Sequence, residues 1–323
     1  MDIISDVLNV VRLNGALFLN ADFGHPWRVS SPCGQDIAKA VMPNSDNVIV
    51  YHLVTEGSCL VNINGGQEIA LEEGDIVIFP HGDAHDIGSQ LSAIPLDMSA
   101  IIPTLLDPNL DLIKTPGETR SAKLICGWLA AEQNVINPLM NSLPNLLKVN
   151  IRQQESGKWL ENSIRHTVDS ASSIRAGSAT MTRKLAEILF LETLRFYMEA
   201  LPEDQMSWLA GMKDKHVGKV LGLIHAQPAK QWSVESLAQE AFVSRSVLAE
   251  KFKNFVGTPP MKYLARWRLA IAASLLKEGN KSIALIIEEI GYESETSFSR
   301  AFKKEFGAPP NNWRNTIANT VNL

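Results

Sequence analysis

Two segments fifty residues apart carry the side chains best suited to contacting a polar partner. The first runs Ser244-Arg245-Ser246-Val-Leu-Ala249-Glu250-Lys-Phe252-Lys253 and closes at Gly257-Thr-Pro-Pro260. The second runs Ser294-Glu295-Thr296-Ser297-Phe-Ser-Arg300-Ala-Phe302-Lys303-Lys304 and closes at Gly307-Ala-Pro-Pro310. The serine, the phenylalanine, the lysine after it, the glycine and both prolines recur at one offset. In a helix starting at each serine, Phe298, Phe302 and Phe306 form one apolar stripe, and Leu248, Phe252 and Phe255 form its counterpart. Arg245, Ser246, Ala249 and Glu250, and likewise Glu295, Thr296, Ser297 and Arg300, fall on the outer faces. The chemistry open to them is hydrogen bonding to base edges and phosphates. Arg300 can pair with guanine or hold a phosphate, and Glu250 can accept from cytosine N4 or simply pair with Lys251 or Lys253. Lys253, Lys303 and Lys304 are candidate phosphate contacts, which position a protein without reading sequence. The helix starts at Ser233 and Ser282 suit a phosphate oxygen as well.

Each segment follows a shorter helical stretch and a tight turn. Ser233 is a good N-cap for 234–241, and 283–290 precedes the turn at Gly291-Tyr292. The pairs read as two helix-turn-helix units in tandem, at 233–256 and 283–306, with double-stranded DNA as partner. A helix of about 17 residues after Pro260 joins them, spanning roughly 26 Å. An earlier helix is expected over 214–226.

The front of the chain has a different rhythm. A short amphipathic helix is expected over 3–13, then strands at 15–21, 27–31, 47–55, 58–63, 67–71, 75–79 and 122–130, with a loop over 100–120. Asn64-Gly65-Gly66 marks a hairpin. Several short strands at regular spacing suggest a small barrel or sandwich. Residues 135–212 return to helical periodicity, notably 157–174 and 178–200. Their apolar faces pack on the barrel or form a subunit interface, the latter implying a homodimer.

Composition bounds these readings. The chain has 323 residues and a net charge of −5, unevenly spread: residues 214–323 carry 15 Lys and Arg against 10 Asp and Glu, whereas 1–213 carry 15 against 25. A basic C-terminal third suits phosphate binding. Three cysteines are too few for a disulfide framework. No apolar run is long enough for a membrane span and no signal-peptide core opens the chain, so a bacterial cytoplasmic location is expected.

Trp232-Ser-Val-Glu-Ser-Leu-Ala238, Phe252-Lys253, Pro260-Met-Lys-Tyr-Leu-Ala-Arg-Trp-Arg268, Ile290-Gly-Tyr-Glu-Ser294 and Phe298-Ser-Arg-Ala-Phe-Lys303 resemble the AraC/XylS family of bacterial transcription regulators. The resemblance covers the last hundred residues. It implies seven helices, two helix-turn-helix subdomains and recognition helices entering successive major grooves. It also implies action at promoters with RNA polymerase, activation rather than repression, and Arg268 bracing the subdomains. Gly74-Asp-Ile-Val-Ile-Phe-Pro80-His81-Gly82-Asp-Ala-His85 resembles the second motif of the cupin-type sensor domain, whereas only His52 stands where the first motif would put a histidine pair. Phe242 and Ile287 depart from the family's usual glycine and alanine, and a side chain in place of that glycine is expected at positive φ.

The fold class expected is therefore α+β and multidomain: a cupin-like β-barrel sensor at 1–133, a helical linker or dimerisation region at 134–212, and an all-α DNA-binding domain at 213–323. Within the barrel, Phe18, His52, Leu53, Leu60, His85, Cys126 and Trp128 are candidates to line an effector site, for a small molecule or a redox signal. His52, His81 and His85 are candidate ligands of a divalent metal, or else His81 and His85 are loop histidines held by hydrogen bonds. Cys59 lies in the same region. Cys126 is a redox thiol or a small buried apolar residue. A cupin metalloenzyme fused to a DNA-binding module is the alternative function, and it needs a complete metal triad.

Overall fold

The computed structural model describes residues 3–11, 13–41, 45, 48–96, 113–115, 117, 119–131, 139–169, 178–202, 205–279 and 281–321. The chain forms two compact units. One comprises residues 13–132 and 143–200, the other residues 1–12, 133–142 and 201–323.

The first unit is built on strands β1 (Leu13–His25), β2 (Arg28–Ser31), β3 (Val48–Ile63), β4 (Ile69–Glu72), β5 (Asp75–Phe79), β6 (His85–Gly88), β7 (Ile113–Lys114), β8 (Thr119–Ala131) and β9 (Leu147–Asn150). Their order is β2-β6-β3-β8-β1-β7, with β4 and β5 also on β3 and β9 on β5. The expected barrel is cupin-like but open: among the described residues β2 and β7 end the path without pairing to each other.

The two strands expected at 47–55 and 58–63 are one strand, β3. Its first half lies between β8 and β5, and its second half pairs with β4 and β6. The change of partners follows a register irregularity between Val54 and Glu56. Next to it Gly57 has φ +74, and a Cβ there would lie 2.1 Å from the Ser121 carbonyl oxygen. A bulge of this kind bends a strand, and only glycine fits so close to the neighbouring backbone.

Helices α1 (Ile3–Val11) and α2 (Gly34–Val41) come early in the chain, and α3 (Glu155–Asp169) and α4 (Ser178–Ala200) follow β9. Strands β6, β7 and β9 and helix α2 were not expected. The first three are four residues long or shorter, too short for alternation to show. Residues 143–200, expected as a separate helical region, share the compact unit of the sheet, because β9 pairs with β5 and α4 packs on β1 and β9. Leu185, Leu189, Phe190 and Leu194 of α4 are buried. Arg152 fastens α3 to the sheet: it donates to both Glu161 carboxylate oxygens (2.8 and 2.7 Å), to Glu73 (2.8 Å) and to the Thr55 carbonyl (2.8 Å).

The second unit holds helices α5 (Trp208–Lys213), α6 (Val217–Ala226), α7 (Val234–Glu240), α8 (Arg245–Val256), α9 (Pro260–Glu278), α10 (Ile283–Ile290), α11 (Glu295–Phe306) and α12 (Pro310–Val321). Helix α1 belongs to it as well: α1 packs against α6 and α9, with Ile3 and Val7 buried. Local rules account for most helix ends. Ser207, Ser233, Ser244, Ser282 and Ser294 cap with their side chains, and Gly257, Gly279, Gly291 and Gly307 stop helices in the left-handed conformation. No helix among the described residues is long and apolar enough to cross a membrane.

Candidate nucleic-acid interface and effector cavity

The two repeated segments fold alike. Ser244 accepts from the Val247 N–H (3.3 Å) and Ser294 from the Ser297 N–H (3.2 Å), so both helices start on the repeated serine. Leu248 and Phe252 in α8, and Phe298 and Phe302 in α11, are buried. Around α11 the core is completed by Ile286, Ile287, Ile290, Leu276 and Trp313. The unusual Ile287 is thus absorbed into a packed cluster.

Burying those stripes leaves the opposite faces in solvent. Ser244, Arg245, Ser246, Glu250 and Lys253 are exposed on α8, with Ala249 half-buried. Ser294, Glu295, Thr296, Ser297, Arg300, Lys303 and Lys304 are exposed on α11. Besides the capping serines Ser244 and Ser294, and Ser246, which lies 3.1 Å from the Ser244 hydroxyl, two of these side chains have intramolecular partners. Arg245 pairs with Glu235 of α7 at 2.8 Å. Ser297 donates to the Ser294 carbonyl at 2.9 Å as part of the cap. Lys251, one of the two lysines that Glu250 could pair with, is on Asp214 at 2.9 Å.

The two helix-turn-helix pairs are held to one another within this unit. Arg268 donates to the carbonyls of Pro228 (2.7 Å) and Lys230 (2.9 Å), bracing as expected. Gln231 donates to the Gly291 carbonyl at 2.8 Å. A Cβ at Gly291 would meet the Ala229 carbonyl oxygen at 2.2 Å, so the loop before α7 lies directly on the turn of the second pair. Sequence reasoning missed Gln231 and Ala229, which have no local signature. At the first turn Phe242 has φ 57, and its exposed ring lies under the Lys219 ammonium at 4.4 Å.

The sheet unit encloses a narrow apolar cavity. Leu19, Ala21, Phe23, Val50 and Leu124 line it, with His52, Cys126 and Trp128. Of the candidate effector residues, His52, Cys126 and Trp128 are therefore brought together. Leu53 and Leu60 are not. Strand alternation turns Leu53 to the other face of β3, and the register shift before Gly57 puts Cys59 and Val61, rather than Leu60, on the cavity side. The Phe18 side chain lies outside the described residues. His85 contacts His52 instead of lining the cavity: their Nε2 atoms are 2.8 Å apart. The His85 ring stacks on Phe79, with centroids 3.6 Å apart.

The proposed metal triad does not form. His81 Nε2 lies 3.1 Å from the Leu143 carbonyl, away from the other two histidines. Among the described residues no group of three or more His, Cys, Asp or Glu could hold a metal. Two imidazoles sharing one hydrogen bond are short of the four ligands zinc takes. The described residues of this unit do not fit a metal centre.

Electrostatics agree with a neutral interior. Burial, and then the neighbouring His85, push the His52 pKa well below the usual imidazole value, and burial lowers that of His85 to about 4. Burial raises the Cys59 thiol to about 12 and drives Cys126 higher still. Neither thiol is in the ionised form that reacts with oxidants.

A basic helical unit with two capped helices showing polar faces, beside a cupin-like sheet, defines a DNA-binding protein with an attached β-domain. Comparison with known proteins agrees. Residues 2–199 match the cupin family and residues 237–316 a helix-turn-helix domain. A Streptomyces lividans protein described as an AraC-like transcription regulator is 31% identical over 97% of this chain and 98% of its own length. The HTH-type transcriptional regulator AlkR of Acinetobacter baylyi is 29% identical, over 97% and 99%. The RCS-specific HTH-type transcriptional activator RclR of Escherichia coli is 24% identical, over 98% of each. The chain belongs to the AraC-like family of DNA-binding transcription regulators.

Proposed function

We propose that this regulator is an effector-controlled activator in which α8 and α11 read successive major grooves while the apolar cavity of the sheet unit receives the controlling molecule. One observation carries the DNA-reading part: matched serine-capped helices bury their phenylalanine stripes and expose Arg245, Ser246, Glu250, Glu295, Thr296 and Arg300. Such side chains in the first two turns reach base edges when a recognition helix enters the major groove. Lys253, Lys303 and Lys304 then neutralise phosphates. The cavity supports the effector part, being apolar with a few converging polar atoms. Activation is supported by the name of the Escherichia coli relative, a transcriptional activator, and RNA polymerase would then be the protein partner.

A homodimer is the assembly we favour. Trp159 on α3 and Met181 and Ile188 on α4 remain exposed after the rest of the α4 stripe has packed on the sheet, and they suit a second copy. The metalloenzyme reading has the cupin match but lacks its triad among the described residues.

Footprinting on the region upstream of the gene tests the proposal. Protection should cover two adjacent major grooves on one face, about 34 Å apart, and should change with effector. Equal binding to random duplex would sink it.

A further inference from the structure

The cavity carries two polar atoms that have no partner: His52 Nδ1 and Trp128 Nε1 are both buried and unpaired. Their side chains are 6% exposed each and both line the cavity. They are diagonal neighbours on one face of the sheet, since Trp128 pairs in register with Val50 and His52 with Cys126. An unpaired buried polar atom is costly and is rare without a reason.

The proton arrangement of the histidine pair follows from its partners. His85 Nδ1 lies 2.7 Å from the Asp83 carbonyl oxygen, which can only accept, so His85 carries its proton on Nδ1. His85 Nε2 is then a lone pair and accepts from the His52 Nε2–H at 2.8 Å. His52 Nδ1 is left as a bare acceptor. Trp128 Nε1–H is a donor only. The cavity thus offers one unpaired acceptor and one unpaired donor in a wall whose other polar groups are the Ser31 hydroxyl and the Cys126 thiol, with no Lys or Arg in its lining.

We propose, building on the effector-site reading above, that the controlling molecule is neutral, mostly apolar and carries one hydroxyl group, which donates to His52 Nδ1 and accepts from Trp128 Nε1. A hydroxyl has both roles in one atom. A hydrocarbon leaves both protein atoms unpaired, and a carboxylate cannot donate and meets no cation. This assignment also explains why the histidine pair is buried: Asp83 and His85 hold His52 in the tautomer that accepts.

Calorimetric titration of the full chain with cyclohexanol, cyclohexane and cyclohexanecarboxylate at pH 7 tests it. Cyclohexanol should bind at least about tenfold more tightly than either analogue. Trp128→Phe should reduce that preference for cyclohexanol over cyclohexane severalfold while cyclohexane still binds. His52→Phe should do the same, and circular dichroism reports whether either variant stays folded. Equal binding of alcohol and hydrocarbon, tighter binding of the carboxylate, no binding of the alcohol, or a preference unchanged in Trp128→Phe overturns the proposal. So does zinc binding that His85→Gln removes, because a metal would take the lone pairs the argument assigns. The effector-site reading is tested separately by Ala21→Leu, which fills the cavity. A reporter gene that still responds to growth conditions in that variant removes the cavity as effector site, whatever the titrations give.

Discussion

At the scale of single residues, two kinds of cation on the same helix should behave differently. Arg300 stands on the exposed face of α11 in its second turn, whereas Lys303 and Lys304 lie toward its end. Arg300→Ala is expected to cost about 1–3 kcal/mol on the best operator and to blur one base position. Lys304→Ala should weaken all sequences alike and lower the salt slope by about one. Binding titrations on operator variants at several salt concentrations separate the two, and a uniform loss in Arg300→Ala would make it a phosphate contact. Phe242 invites a stability measurement. Its backbone sits at φ 57, where a side chain is strained. Comparing Phe242→Gly with Phe242→Ala removes the ring in both, including its contact with Lys219. The glycine variant should be about 1 kcal/mol more stable in urea denaturation.

At the scale of elements, close backbone approaches decide more than propensity does. Strand β3 serves two sets of neighbours only because Gly57 lets it bend beside Ser121. Gly57→Ala combines a positive φ with a Cβ inside the Ser121 carbonyl, so it is expected to destabilise the sheet unit by more than about 2 kcal/mol, read as a lowered unfolding midpoint. In the helical unit the anchor is a buried histidine. His225 lies against Tyr263, with Nε2 2.8 Å from the hydroxyl, which also accepts from the Trp208 indole N–H at 3.0 Å. Burial lowers the His225 pKa to about 3. A histidine that stays neutral when folded takes up a proton on unfolding below its ordinary value of about 6.5. The stability it contributes is complete above that pH and is lost as pH falls toward 3. His52 and His85 act in the same direction. The chain should therefore lose stability between pH 6.5 and 4, and His225→Gln should flatten that dependence in melts followed by circular dichroism.

At the scale of the whole molecule, the division of charge and the division of labour coincide. The basic residues 214–323 form most of the helical unit, and the acidic remainder includes the sheet unit. Binding to nucleic acid should fall steeply with salt, since the phosphate term carries the non-specific part of affinity. The boundary between units is not one cut in the chain. Helix α1 is counted with the helical unit although the next residues enter β1, whose Leu19, Ala21 and Phe23 line the cavity. One covalent thread thus runs from the cavity wall into the unit that holds the recognition helices.

Local chemistry alone was enough for the helical unit. Serine caps, glycine stops and the phenylalanine stripe each act within a few residues, so α7, α8, α10 and α11 and their exposed faces were legible in the sequence, whereas the positive φ of Phe242 followed only from the resemblance to a family with glycine there. The sheet unit was legible only as a rhythm of strands. Which residues line its cavity depends on the register shift between Val54 and Glu56, which moves Leu60 off the inner side and brings Cys59 onto it. Whether three histidines meet depends on where a corner points, and that corner sends His81 to Leu143 and His85 to His52. Pattern along a chain encodes capping and amphipathicity because their range is one turn of helix. Register and convergence arise from pairings between strands far apart in the sequence, and only the assembled sheet decides them.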